Sequence, residues 1–269
     1  MENESFAEKF LYRLIKKHIS GSTMSSALDR AKSMNDKSIP ATITFLSNVP
    51  ENKAKAKYIT STYIELIRRI SRSGLKASIQ VPLAQIGAHI DRDASISNFT
   101  EILEAGKRYG VFIWAETEEP SLLSKLKEAR GYGLATTLER ARDHLKVNKP
   151  TSLKILFDGF AEHLDPKIEH KNIDLDEIEV LSKNAKMLVL SFLPENHLWK
   201  LLKKQKFRKS LIFEVQLGSS MRKLQKVQKK GTKACVYIPF GKDWVEYAMN
   251  NVPEGYTRFL AGNLLNEGA

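Results

Sequence analysis

The sequence predicts an α/β protein and, within that class, a closed (β/α)8 barrel of the TIM type with extra helices ahead of the first strand. Three observations carry this. Eight apolar, β-rich runs alternate with amphipathic segments at roughly 20–35-residue spacing, the range of successive strand–helix units. No Gly-rich phosphate loop follows the first run, which separates the pattern from a doubly wound dinucleotide-binding sheet. The chain has 269 residues, and barrels of about 250 residues form single domains.

The elements follow in order. Residues 6–19 place Phe6, Phe10 and Leu14, with Leu11 and Ile15, on one helical face. Ser20-Gly-Ser-Thr breaks that helix, and Thr23 begins a second one, Ser25 to Met34. This divides the chain into an N-terminal helical segment, 1–38, packing on a barrel of residues 39–269 that ends in a helix. The predicted strands are Ala41–Leu46, Ala77–Val81, Val111–Ala115, Gly133–Thr137, Leu153–Phe157, Met187–Phe192, Leu211–Val215 and Val236–Ile238. Pro239 is expected to stop the last strand, Gly241 to turn the chain and Asp243 to cap the next helix. Helices are read over Lys57–Arg72, Ile96–Tyr109, Pro120–Arg130, Leu175–Lys183, Asn196–Lys206 and Ser219–Lys230. The segment between the fourth and fifth runs is left without one.

Composition narrows the function classes. The formal net charge is +12 and the isoelectric point near 9.6, which suits an acidic partner. One cysteine, Cys235, excludes a disulfide framework within the chain, fits a reducing compartment and sits in apolar context, hence buried and inert. Neither a signal peptide nor a transmembrane helix is read, so a cytoplasmic location is expected, with a peripheral place at the inner membrane face as the alternative. The six histidines lack metal-ligand spacing, so no metal is expected.

Val236-Tyr-Ile-Pro-Phe-Gly-Lys-Asp-Trp-Val-Glu-Tyr247 resembles the last strand and helix of the proline dehydrogenase family, which read roughly V-Y-V-P-Y-G-x-D-W-Y-P-Y-x-x-R-R. Ile19-Ser-Gly-Ser-Thr and Ala27-Leu28 resemble that family's opening helix pair, and the likeness extends over about residues 10–265. It implies a flavin enzyme: FAD takes a hydride from proline and passes electrons to an acceptor such as a quinone. Carried over position by position, it assigns catalytic roles to Tyr237, Glu116 and Glu214. Gln80, Arg142 and Gln216 fall near the cofactor, and Tyr247, Asn250 and Asn251 near the substrate.

Several positions depart from the family pattern. The Arg pair that clamps a substrate carboxylate becomes Asn250-Asn251, a strand-two lysine becomes Gln80, and no lysine stands in either register compared around Leu156-Phe157-Asp158. A neutral amide reproduces neither the fork nor the fixed charge of a guanidinium. At about 1.5–3 kcal/mol per charge-assisted hydrogen bond, the losses should cost several decades of proline affinity or turnover. Two expectations result: an FAD-dependent oxidoreductase acting on L-proline or a related amine, or a non-catalytic barrel turned binding module. For the second, the lysine-rich outer helices, with Lys226, Lys229 and Lys230, offer a phosphate footprint for an acidic partner such as RNA; a merely solvated lysine surface is the plainer alternative.

Overall fold

The computed structural model describes residues 12–13, 15–124, 131–148, 152–157, 173–203, 211–219 and 221–244. Eight parallel strands close on themselves in chain order: β1 (Ala41–Phe45), β2 (Ala77–Pro82), β3 (Ile113–Glu116), β4 (Tyr132–Thr137), β5 (Ser152–Leu156), β6 (Met187–Ser191), β7 (Leu211–Gln216) and β8 (Lys233–Phe240), with β8 pairing back onto β1. Around them lie α1 (Met24–Asn35), α2 (Lys53–Arg72), α3 (Arg92–Tyr109), α4 (Pro120–Leu123), α5 (Leu138–Asn148), α6 (Leu175–Asn184), α7 (Glu195–Lys203) and α8 (Met221–Lys229).

Strand alternation sorts the core into two layers. Ile43, Ile79, Ile113, Ile155, Leu190, Phe213 and Ile238 face outward and join the helices' buried faces in one large cluster; Ile43 pairs with Ile79 and Ile238, Ile79 with Ile113, and Leu190 with Ile155 and Phe213. The residues of the opposite alternation, Thr42, Gln80, Trp114, Lys154, Val189, Glu214 and Cys235, face inward. Both faces of each strand are thus covered, which is why the sequence shows near-continuous apolar runs. Gly133 on β4 leaves the room that Trp114 occupies on β3: a Cβ there would lie 2.3 Å from the indole ring.

Local chemistry sets the helix starts. Asn52 accepts from the Lys55 N–H at 2.9 Å and Asp91 from the Ala94 N–H at 3.0 Å, so α2 and α3 begin four residues before the first apolar repeat. Thr23 caps α1 in the same way, accepting from the Ser26 N–H at 3.2 Å. The helix not read from sequence is α5. Its inner face carries His144 between Ala141 and Leu145, and a buried histidine weakens the apolar period.

Pro239 does not stop β8, which runs on to Phe240. β7 has already ended at Gln216, opposite Tyr237, so no ladder donor is missed at the proline nitrogen. The Pro239 carbonyl instead accepts from the Ser20 N–H at 2.9 Å. The same N-terminal segment is held by His18, whose Nδ1 meets the Leu217 carbonyl at 2.6 Å and whose own carbonyl accepts from Gln216 Nε2 at 3.0 Å. Gly218, at φ +83°, permits this approach, since a Cβ there would lie 2.5 Å from the Lys17 carbonyl oxygen.

Candidate active site at the carboxyl-terminal mouth

The barrel interior is organised around Lys154. Its side chain is fully buried, and its ammonium contacts Glu214 at 2.8 and 3.0 Å, Gln80 Oε1 at 3.0 Å and Thr42 Oγ1 at 3.3 Å. It also lies 4.8 Å from the Trp114 ring centroid. Glu214 is equally well served: Thr42 and Ser191 hydroxyls each donate at 2.5 Å, and the Cys235 thiol approaches at 3.5 Å. A buried ion pair persists only when its remaining donors and acceptors are satisfied, and this pair meets that condition.

Gln80 carries the network upward. While Oε1 accepts from Lys154, Nε2 donates to Glu116 Oε2 at 2.7 Å. Glu116 closes β3 and faces a cleft of about 420 Å³ at the carboxyl ends of the strands, where (β/α)8 barrels place their chemistry. Burial pushes the Glu116 carboxyl above its ordinary range; the Gln80 hydrogen bond and Lys154 oppose this, and Glu118 reinforces it. Its Oε1 makes no hydrogen bond among the described residues. The cleft walls add hydroxyls from Thr44 and Ser47, the Gln85 amide, and the side chains of Leu156, Phe157, Phe192 and Tyr237. A second cleft of about 520 Å³ runs alongside and shares Pro82, Ala84, Glu116 and Glu118 with it.

Two wall residues are set by unusual backbone or long-range ties. Phe192 has φ +61°, a left-handed conformation that costs a bulky residue energy. Its N–H donates to the Glu214 carbonyl at 2.9 Å, and its ring meets Tyr237 edge-on, with centroids 5.2 Å apart. Asp243 lines the mouth and accepts from the Asn48 N–H at 3.1 Å, tying the loop after β1 to the end of β8; the helix it was expected to cap lies outside the described residues beyond Trp244.

The expected site residues divide. Tyr237, Glu116 and Gln80 come together at the cleft. Glu214 lies beneath it as half of the buried ion pair, with no exposed side-chain surface to offer a substrate. Gln216 is also buried and holds the N-terminal segment rather than the cleft wall; its Oε1 has no partner among the described residues. Arg142 is not brought to the mouth: it projects from α5 and pairs with Glu177 of α6 at 2.7 Å. Tyr247, Asn250 and Asn251 lie outside the described residues. Strand five does supply an ammonium, from Lys154, two residues before the positions compared in the sequence. Glu118 accepts from the Thr137 N–H and hydroxyl at 3.1 and 2.8 Å, so it diverges from Glu116 toward β4. Lys226, Lys229 and Lys230 are exposed on and just after α8, whereas Lys223 turns inward to within 3.6 Å of Glu195. No group of residues suited to hold a metal ion occurs among the described residues.

The FAD implied by the resemblance has two parts with different needs. Phe157, Phe192, Tyr237 and the Gln80 amide suit a flat heteroaromatic ring. The diphosphate is not matched: the described cleft lining carries three carboxylates, Glu116, Glu118 and Asp243, and neither lysine nor arginine.

Comparison with known proteins agrees with this architecture. No protein-family model matches the chain. Proline dehydrogenase 1 of Bacillus subtilis subsp. natto is 22% identical over 279 residues, covering 93% of this chain and 89% of the relative. The proline dehydrogenase of Deinococcus radiodurans is 19% identical over 289 residues, with the same shares covered. Among solved structures, proline utilization A of Bdellovibrio bacteriovorus, inactivated by N-propargylglycine, superimposes with a TM-score of 0.69 at 13% identity over 93% of this chain and 34% of that one. A Bradyrhizobium japonicum proline utilization A mutant gives 0.64 at 14% identity, over 93% and 31%. The chain thus spans about a third of those structures. Joined to the closed eight-stranded parallel barrel, these likenesses support a divergent relation to the proline dehydrogenases, which the chain resembles over about nine-tenths of its length.

Proposed function

We propose that this protein is a proline dehydrogenase-like oxidoreductase that takes a small amine at the carboxyl-terminal mouth of its barrel, with FAD as the electron-accepting group that the family implies. The observation that carries this reading is Glu116. Its Oε2 is fixed by Gln80, its Oε1 is open to the cleft, and burial raises its proton affinity. A carboxyl so placed pairs with an ammonium and accepts its proton, leaving the neutral amine that oxidation requires. Tyr237 and Phe192 form an edge-to-face wall against which a small ring packs.

The acidic lining gives the proposed ligand its character. Glu116, Glu118 and Asp243 repel a carboxylate, so L-proline is a poorer ligand than an amine of similar ring size without one. The flavin supplies the oxidation when bound; the chain's own groups orient the amine, hold its proton at Glu116 and screen it from water. Because the described mouth lacks cations for a diphosphate, the first measurement is the visible absorbance of the purified protein, with and without added FAD. The second is dye reduction with pyrrolidine and with L-proline. Flavin uptake and a preference for pyrrolidine support the reading. A colourless protein that takes up no FAD overturns it, and a strong preference for L-proline overturns the assigned ligand class.

A further inference from the structure

The barrel interior opens a second time, at its amino-terminal end. There a cavity of about 620 Å³ lies beneath the Lys154 layer, and Trp114, Thr42, Glu214 and Cys235 form its floor. Phe112, Met187 and Ile212 face its interior and are only partly buried, although they sit at strand starts inside the barrel. Barrel interiors are ordinarily filled by side chains. Here the inward residues at the starts of β1, β2 and β8 are the short side chains Thr42, Ser78 and Cys235, which leave the space open.

The chemistry of this cavity is ordered from floor to rim. The floor's polar groups are already engaged: the Thr42 hydroxyl donates to Glu214, and the Glu214 carboxylate accepts from Lys154, Thr42 and Ser191. A ligand therefore gains nothing by presenting a polar group there. The rim differs. Lys76 and Lys233 are exposed and carry no salt bridge among the described residues. Positive charge thus sits at the entrance, over an apolar wall.

We propose that this cavity binds a small amphipathic anion, an apolar body with one carboxylate or sulfonate head, inserted body first so that the head meets Lys76 and Lys233. The site is separate from the mouth and does not depend on the oxidoreductase reading.

Calorimetric titration of the full chain with decanoate tests this, with decyltrimethylammonium as the control of opposite charge. Saturable one-site binding of decanoate is expected, with the cation weaker. Ile212→Trp fills the cavity without touching the polar layer, and it should weaken decanoate by at least about tenfold while the melting temperature is kept or raised. Lys76→Glu with Lys233→Glu should reverse the charge preference. Circular dichroism identifies a variant that fails to fold, in which case Met187→Phe replaces it as the filling change. Absence of saturable binding below the aggregation concentration of decanoate overturns the proposal. So does binding that Ile212→Trp leaves unchanged, which would place the anion on the basic outer surface.

Discussion

Lys154 and Glu214 meet at 2.8 Å inside the barrel, from strands that are not neighbours, with neither side chain exposed. β6 lies between them, and its Ser191 donates to the same carboxylate, so the pair stitches three strands. Removing one partner leaves an uncompensated buried charge. Lys154→Met is expected to cost about 3–5 kcal/mol in urea denaturation. Lys154→Met with Glu214→Leu should recover much of that, because two apolar side chains replace two charges. If the double variant is as unstable as the sum of the single ones, the pair is not coupled as the geometry says.

That pair marks the limit of what the sequence displays. All eight strands are legible because both faces of each are buried, so Ala41–Phe45 or Leu211–Gln216 reads as a strand without knowledge of its partners. Tyr237, Gln80 and Glu116 are singled out by strand ends and family likeness, and the fold brings the three to one cleft. Lys154 is hidden: Ser152-Leu-Lys-Ile-Leu looks like a strand with one solvent-facing lysine, and only barrel closure brings Thr42 of β1 and Glu214 of β7 to it. Phe192 is hidden for another reason, since a positive φ at a phenylalanine leaves no signature in composition or spacing.

Glu116 predicts a pH dependence of stability. Its carboxyl is raised in the fold, first by burial, so the folded chain holds that proton more firmly than the unfolded chain. The stability tied to this group is complete below the ordinary carboxylate range and is lost as pH rises through the raised value. Glu116→Gln keeps the shape and removes the titration. Melting temperatures from about pH 4 to about pH 8 should therefore diverge, with the variant gaining on the wild type as pH rises. Parallel curves would contradict the assignment. In the proposed reaction the same variant should lose roughly 10²–10⁴ in turnover, the usual contribution of a positioned base.

Cys235 should be unreactive in the folded protein despite bordering the lower cavity. Burial, and next the Glu214 carboxylate beside it, hold its thiol well above the ordinary range, and the thiolate is the reactive form. Ellman's reagent is expected to titrate no thiol in buffer near neutral pH and one per chain after unfolding. Rapid modification of the native protein would mean that the polar layer is open to solvent.

Phe192 and Tyr237 offer the sharpest separation of strain from function. The left-handed backbone at Phe192 costs energy, about 1 kcal/mol or more for a residue with a side chain. Its ring, meanwhile, forms one wall of the mouth against Tyr237. Phe192→Gly removes the strain and the ring together. If the conformation is held only for the aromatic wall, the variant's stability should change little, because relief of strain offsets lost packing. Its affinity for the cleft ligand should fall all the same. Phe192→Ala keeps the strain and loses the ring, so it should be less stable than Phe192→Gly by about 1 kcal/mol while binding equally poorly. Equal stabilities for the two variants would show that the backbone relaxes once the ring is gone. Undiminished binding in both would remove Phe192 from the site.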